Sequence, residues 1–251
     1  MKPTGNITAR GAFTGDFGIS PDAPAHQIPG EIERDREIMV LRPGMLHKHV
    51  PIQVDPESGR MFCGGRYLFD SFDQAEAYRR WVLDDFVVDG VPFPERSYFI
   101  DPVFLAWHVI GAHDFDPIDT HVAIRFERWA LTGAAGREVL DELWPAVRKE
   151  ARERGLASVW VLYSEERREA GLVTVAKRSG QAAPGEVDEA SLALLRRPSI
   201  GAALEAHGLA TSVLDRTGLV WTIWLPRAAA GNAPSLWPNS PPLPAPVLAS
   251  R

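Results

Sequence analysis

The sequence contains one cysteine, Cys63, so no disulfide can form within the chain. No apolar run approaches the ~18 residues needed to span a bilayer. The N-terminus lacks a charged segment followed by an apolar one, so a soluble, cytoplasmic protein without a membrane partner is expected. A concentrated basic surface is missing too. Lys and Arg number 27 against 33 Asp and Glu, a net charge of −6, and the basic residues are scattered among acids, which argues against nucleic-acid binding. Phosphate-cradling loops are absent: Gly64 and Gly65 fall inside a predicted strand rather than before a helix, so neither a P-loop nor a dinucleotide fingerprint is present.

What is there is a repeated order of elements. In the first half, a strand around Ala9 to Phe17 precedes a short helix from Glu31 to Leu41, stopped by Pro43 and Gly44. Met45 to Val54 and Met61 to Phe69 read as strands joined by the turn formers Asp55 to Gly59. Ser71 and Gln74 have capping-box spacing, and Phe72, Ala75, Tyr78, Val82 and Phe86 recur at intervals of three and four, so a helix with one apolar face follows. Beyond a Pro-rich linker, Val103 to His113 reads as a strand.

The second half repeats this pattern: strand His121 to Leu131, a helix to Arg154 that Pro145 should kink, strands Ala157 to Tyr163 and Gly171 to Lys177, helix Asp188 to His207 broken at Pro198, and a bent strand or hairpin Leu209 to Leu225. The expected fold is α+β: two ferredoxin-like β-α-β-β-α-β units forming an α+β barrel. The units are residues 1–115, with an N-terminal extension to about 30, and 116–227. A Pro- and Ala-rich tail, 228–251, lacks the apolar surface to offset its ordering entropy. Each unit covers one sheet face with helices, so a cavity between the two sheets is expected.

The stretch Pro43-Gly44-Met45-Leu46-His47-Lys48-His49, then Gly64-Gly65-Arg66-Tyr67-Leu68-Phe69, then Ala75-Glu76-Ala77-Tyr78, resembles the antibiotic-biosynthesis-monooxygenase group and its YdhR-like relatives, which have the dimeric α+β barrel fold. The likeness covers residues 40 to 113; across 121 to 225 it rests on element order alone. It implies an enzyme that oxidises quinol, anthrone or related polycyclic aromatic substrates with O₂, without a tightly bound cofactor or with reduced flavin as a diffusible co-substrate. The narrowest subgroup it suggests acts on aromatic polyketides in antibiotic biosynthesis, including ring-opening oxygenases of angucyclines. A homodimer and a flavin reductase are the protein partners compatible with it. The Trp, Asn and Arg set of some relatives is not recoverable here position by position.

Candidate site residues come from strand alternation. His47 and His49 share one face and Lys48 takes the other; an inward imidazole pair would act as base and hydrogen-bond donor to a phenol, just as an edge pair would face solvent. His108 is the third catalytic candidate, on a face with Phe104, Ala106 and Ile110, while Trp107 shares the other with Leu105, Val109 and His113. Arg66 would hold an oxyanion or pair with an acid at the sheet edge, and Tyr67 takes the opposite face. Tyr163 and Ser158 are weaker candidates of the same kind. Of eight tryptophans, Trp107, Trp129, Trp160, Trp221 and Trp224 fall on predicted strands; Trp107, Trp160 and Trp221 are the substrate-binding candidates, with core filling as the competing role. His47-x-His49 lacks the acid a cupin metal site needs, and one cysteine argues against zinc, so no metal is expected.

The reading is an oxygenase, with a non-oxidative cyclase or isomerase, or a small-molecule binding protein, as alternatives. Haem is a further candidate through His121 or His207. The purified protein is expected to show no Soret band in its absorption spectrum; such a band would convert the reading to a haem enzyme.

Overall fold

A computed structural model describes residues 4–23, 28–55, 58–133, 135–181, 187–197, 205 and 208–225. The elements run β1 (Gly5–Asn6), β2 (Gly11–Ile19), α1 (Ile28–Met39), β3 (Met45–Val54), β4 (Met61–Phe69), α2 (Phe72–Arg80), β5 (Val87–Val88), β6 (Val91–Pro92), β7 (Phe99–Asp114), β8 (His121–Leu131), α3 (Arg137–Glu153), β9 (Ser158–Ser164), β10 (Glu169–Lys177), α4 (Glu189–Leu195) and β11 (Ala210–Trp224). The chain forms two compact units, Gly11–Ala106 with the segment from Trp221, and Trp107–Val220 with the residues up to Arg10. The division falls within β7 and β11. The tail from 228, His207 and the expected break at Pro198 lie outside the described residues.

In the first unit the strands are ordered β7-β2-β4-β3, the arrangement a β-α-β-β-α-β unit produces. All the pairings of β4 are antiparallel, with Phe13 opposite Tyr67, Gly15 opposite Gly65 and Phe17 opposite Cys63 on β2, and Lys48 opposite Tyr67 on β3. Ser71 caps α2 by accepting from the Gln74 amide. The apolar periodicity that predicts a helix to Phe86 is resolved differently: α2 ends at Arg80 and a π-helical turn, Trp81–Asp85, follows. The Pro-rich linker holds a small hairpin, β5 and β6, turned by Asp89 and Gly90, both at positive φ (53° and 79°). The core of this unit is aromatic, with Phe13, Tyr67, Phe69, Tyr78, Phe86 and Phe93 buried together with Trp221 and Trp224.

In the second unit the order is β11-β8-β10-β9, and the part of β7 from His108 pairs with β9. Arg125 holds the end of α4 by donating to the Leu195 and Arg197 carbonyls, both at 2.8 Å, while it clasps Asp215. Trp144 of α3 lies on Gly111, where an added Cβ would stand 2.2 Å from its ring. β11 is one strand with an irregularity between Ser212 and Leu214. α3 runs unbroken through Pro145, from Arg137 to Glu153. Among the described residues, no helix is long and apolar enough to cross a membrane.

Two glycines provide a test of this packing. A Cβ on Gly64 would stand 2.0 Å from the Gly15 carbonyl oxygen, a backbone atom that cannot swing aside, whereas a Cβ on Gly30 of α1 meets nothing within 4 Å. Gly64→Ala is expected to lower stability by about 2–3 kcal/mol, and Gly30→Ala to raise it by up to about 1 kcal/mol. Urea midpoints of the two variants against the parent check both signs.

Candidate active site

Alternation along the strands of the first unit sends two different sets of side chains to the two faces of its sheet. Toward the helices point Phe13, Gly15, Phe17 and Ile19 of β2, Lys48 and Val50 of β3, and Cys63, Gly65 and Tyr67 of β4; with Phe104 of β7 and Trp224 of β11 they line a cavity. Its roof is α1, through Ile28, Ile32, Asp35 and Met39, and its side is closed by Phe93, Arg96, Tyr98 and Phe99. Room for water-sized occupants is about 40 Å³, inside a depression whose whole void, its solvent-open part included, is about 560 Å³. The cavity therefore lies under the unit's own helix, whereas the expectation was a chamber between two sheets.

The facing glycines Gly15 and Gly65 make the dent. A Cβ on Gly65 would sit 2.4 Å from the Tyr67 ring and 3.0 Å from Lys48 Cε, and one on Gly15 would sit 3.2 Å from the Phe104 ring. The space a side chain would fill is thus taken by the flat faces and stems of its neighbours. Eight of the lining side chains are aromatic: Phe13, Phe17, Tyr67, Phe93, Tyr98, Phe99, Phe104 and Trp224.

Lys48 is the unexpected member of this wall. Its side chain is buried, and its Nζ stands 3.4 Å from the Trp224 ring centroid, 4.6 Å from that of Tyr67 and 3.7 Å from Met39 Sδ. The Asp35 carboxylate is engaged elsewhere, receiving two 2.7 Å bonds from Arg96. Burial lowers the Lys48 amine to about 7, against a smaller upward pull from Asp35 and Cys63. The Tyr67 hydroxyl donates to the same Met39 sulfur at 3.6 Å and accepts from Tyr78 at 3.1 Å. Burial raises both phenols, so they stay protonated at neutral pH, and it pushes the Cys63 thiol up to about 11. Arg96 also donates to Tyr98, whose hydroxyl donates to Glu31 of α1, so α1 is latched to the 93–98 segment at two points.

The sequence-derived candidates divide between places. Tyr67 lines the cavity, and Trp221 lies in the same unit's core, three residues before the cavity-lining Trp224. His47, His49 and Arg66 lie together on the opposite sheet face, all buried: the His rings are 5.2 Å apart and perpendicular, and Arg66 donates to Asp16 at 2.5 Å and to the Gly15 and Gly65 carbonyls at 2.7 and 3.0 Å. His108, Trp107 and Trp160 belong to the second unit. There His108 is opposite Tyr163, Trp107 packs edge-on against Phe126, and Trp160 donates to Ser158 Oγ at 2.9 Å. Sequence reasoning passed over Lys48, Tyr78 and Met39. The usable signal was the alternation that set Lys48 apart from its two histidines. Among the described residues, no group of three His, Cys, Asp or Glu is gathered as a metal would require.

Two outcomes follow from this geometry. Because the folded Lys48 value lies below the ordinary lysine value of 10.5, the unfolded chain binds the extra proton, and stability rises with pH between about 7 and 10. Lys48→Met is expected to be more stable than the parent at pH 7, with the gap closing by up to about 1.4 kcal/mol per pH unit toward pH 10, as urea midpoints across that range would show. Arg96→Met leaves Asp35 buried without its partner and is expected to cost about 3–5 kcal/mol in the same measurement.

No family model and no curated protein matches the sequence. Solved structures do match in fold. A protein provisionally named a monooxygenase from Fusobacterium nucleatum is 10% identical over 87% of this chain and 96% of its own, with a TM-score of 0.53. An anthrone oxidase-like protein is 15% identical over 85% and 93%, TM-score 0.52. Another protein provisionally named a monooxygenase, from Lactobacillus acidophilus, is 12% identical over 86% and 96%, TM-score 0.51. At these identities the likeness establishes that the chain shares their α+β fold.

Proposed function

We propose that the protein is an O₂-dependent oxygenase acting on an aromatic phenol or quinol, bound in the cavity under α1. The observation that carries this reading is the wall of eight aromatic side chains around a buried amine and a hydrogen-bonded tyrosine pair. The names of the structures that share the fold, monooxygenases and an anthrone oxidase-like protein, point the same way.

Ring faces suit a flat apolar guest, and the polar groups suit its one ionisable oxygen. A phenol entering beside Lys48 gives its proton to the amine, which burial holds near neutral pH, and Tyr67 donates a hydrogen bond to the resulting phenolate. The phenolate is electron-rich and passes an electron to O₂. Overall, an activated ring CH₂ and O₂ become a ring carbonyl and water. Reduced flavin, supplied by a reductase, is the donor in the version of the reaction that needs added electrons. With room for only a few water-sized occupants in this state, a substrate of more than one ring enters as Met39 and Ile32 of α1 move aside. A polycyclic polyketide intermediate is the narrowest substrate class within the proposal. His47 and His49, across the sheet, are the alternative acid–base pair, and His108 of the second unit is a separate candidate. A cyclase or isomerase using the same amine and phenols is the alternative reaction.

An oxygen electrode with a panel of hydroquinones, naphthols and anthrone tests the proposal. The expected result is one O₂ consumed per product, with reduced flavin required or not. Turnover that continues unchanged without oxygen would assign the cyclase reading. Ile32→Trp, which puts a larger side chain on the cavity wall, is expected to raise KM about tenfold or more, equivalent to a loss of about 1.4 kcal/mol in binding. If Ile32→Trp leaves the kinetics untouched while His47→Ala and His49→Ala abolish them, the site lies on the other face.

A further inference from the structure

We propose that Lys48 is a carbonyl-reactive amine, and that the cavity under α1 captures small aldehydes as imines on its Nζ. Four observations make the case. The sequence has only four lysines, and this one is walled in by the cavity. Its Nζ has Met39 Sδ and two ring faces as its described contacts, with no carboxylate bonded to it. A phenol stands at the same spot: Tyr67 OH and Lys48 Nζ both point at Met39 Sδ, at 3.6 and 3.7 Å, and Tyr78 donates to Tyr67 from behind. The cavity they line has room of about 40 Å³, which suits a compound of a few heavy atoms.

Each part has a role in imine chemistry. The amine lone pair attacks the carbonyl carbon and forms a C–N bond; the oxygen takes a proton and becomes the hydroxyl of a carbinolamine. Tyr67 protonates that hydroxyl, water leaves, and the nitrogen proton returns to the tyrosine through the Tyr78 bond or solvent. The sum is an aldehyde and an amine giving an imine and water, with no oxidant or reductant consumed. Before the nitrogen proton leaves, the imine is a cation, and the Trp224 ring at 3.4 Å favours it as it favours any cation over its face. Burial keeps a large share of the amine unprotonated near pH 7, where an ordinary lysine is almost wholly protonated. The charged and titratable groups around Nζ are Asp35 and Arg96 from the α1 side and Cys63, Tyr67 and Tyr78 from the sheet and α2; Asp35 and Arg96 are bonded to each other.

The cavity, Lys48 and Tyr67 are those of the oxygen chemistry proposed above, but the imine consumes no O₂, so a protein inert toward O₂ would still form it. The test is reductive trapping of the whole protein with acetaldehyde and cyanoborohydride at pH 7, followed by peptide mass mapping of the lysines. Lys48 is expected to be labelled at least about tenfold faster than Lys149 and Lys177, whose amines are exposed and paired with Glu153 and Asp116. Tyr67→Phe is expected to slow Lys48 labelling several-fold and leave the exposed lysines unchanged. In Lys48→Met the fast adduct should vanish. Labelling of Lys48 no faster than Lys149 overturns the proposal, since acetaldehyde is small enough for the cavity as it stands. An unchanged rate in Tyr67→Phe overturns the assignment of the proton donor.

Discussion

Enclosing a lysine amine between ring faces requires a sheet surface with a hole in it, and the glycine at position 65 makes that hole. Side chains on one face of neighbouring strands crowd within a few ångströms. Without a Cβ at Gly65, the Tyr67 ring folds back over the strand and the Lys48 stem passes beside it, bringing Nζ to the Trp224 face. Gly15, opposite on β2, does the same for Phe104. The cavity floor is thus a pair of missing side chains, and its contents are the neighbours that lean into them.

The roof rests on a different interaction. α1 carries few large apolar residues, and its hold on the unit comes from Asp35 and Glu31 gripping Arg96 and Tyr98 as well as from Met39 and Ile28 in the core. A bidentate carboxylate–guanidinium pair buried at this depth has a defined geometry and a high cost of rupture by substitution. It also occupies the acid that would otherwise neutralise Lys48. One ion pair therefore closes the cavity and leaves the amine without a counter-ion, which is why burial dominates its protonation.

The two faces of the first sheet make contrasting use of polar groups. On the helix-covered face the polar atoms converge on one sulfur and one void. On the other face Arg66 donates to Asp16 and two backbone carbonyls, an arrangement suited to holding β2 and β4 together. Similar chemistry thus has a different bearing on each side. In the second unit the arginines are again mechanical: Arg125 holds the end of α4, and Arg128 forks onto Glu169.

Much of the fold was legible because strand and helix periods are local. Met45–Val54, Met61–Phe69 and His121–Leu131 lie where alternation and turn formers put them, in an α+β fold as expected. The π-turn at Trp81–Asp85 was not legible, since it depends on where Trp81 and Phe86 stack, nor was the β5–β6 hairpin among prolines. Alternation also determined that His47 and His49 part company from Lys48, and that Arg66 parts from Tyr67. It could not say which set meets the helices, because period two is symmetric about the strand. Only the tertiary structure decided that, through α1 and α2 packing on the face with the larger aromatic surface, and so it placed a lysine rather than a histidine in the cavity.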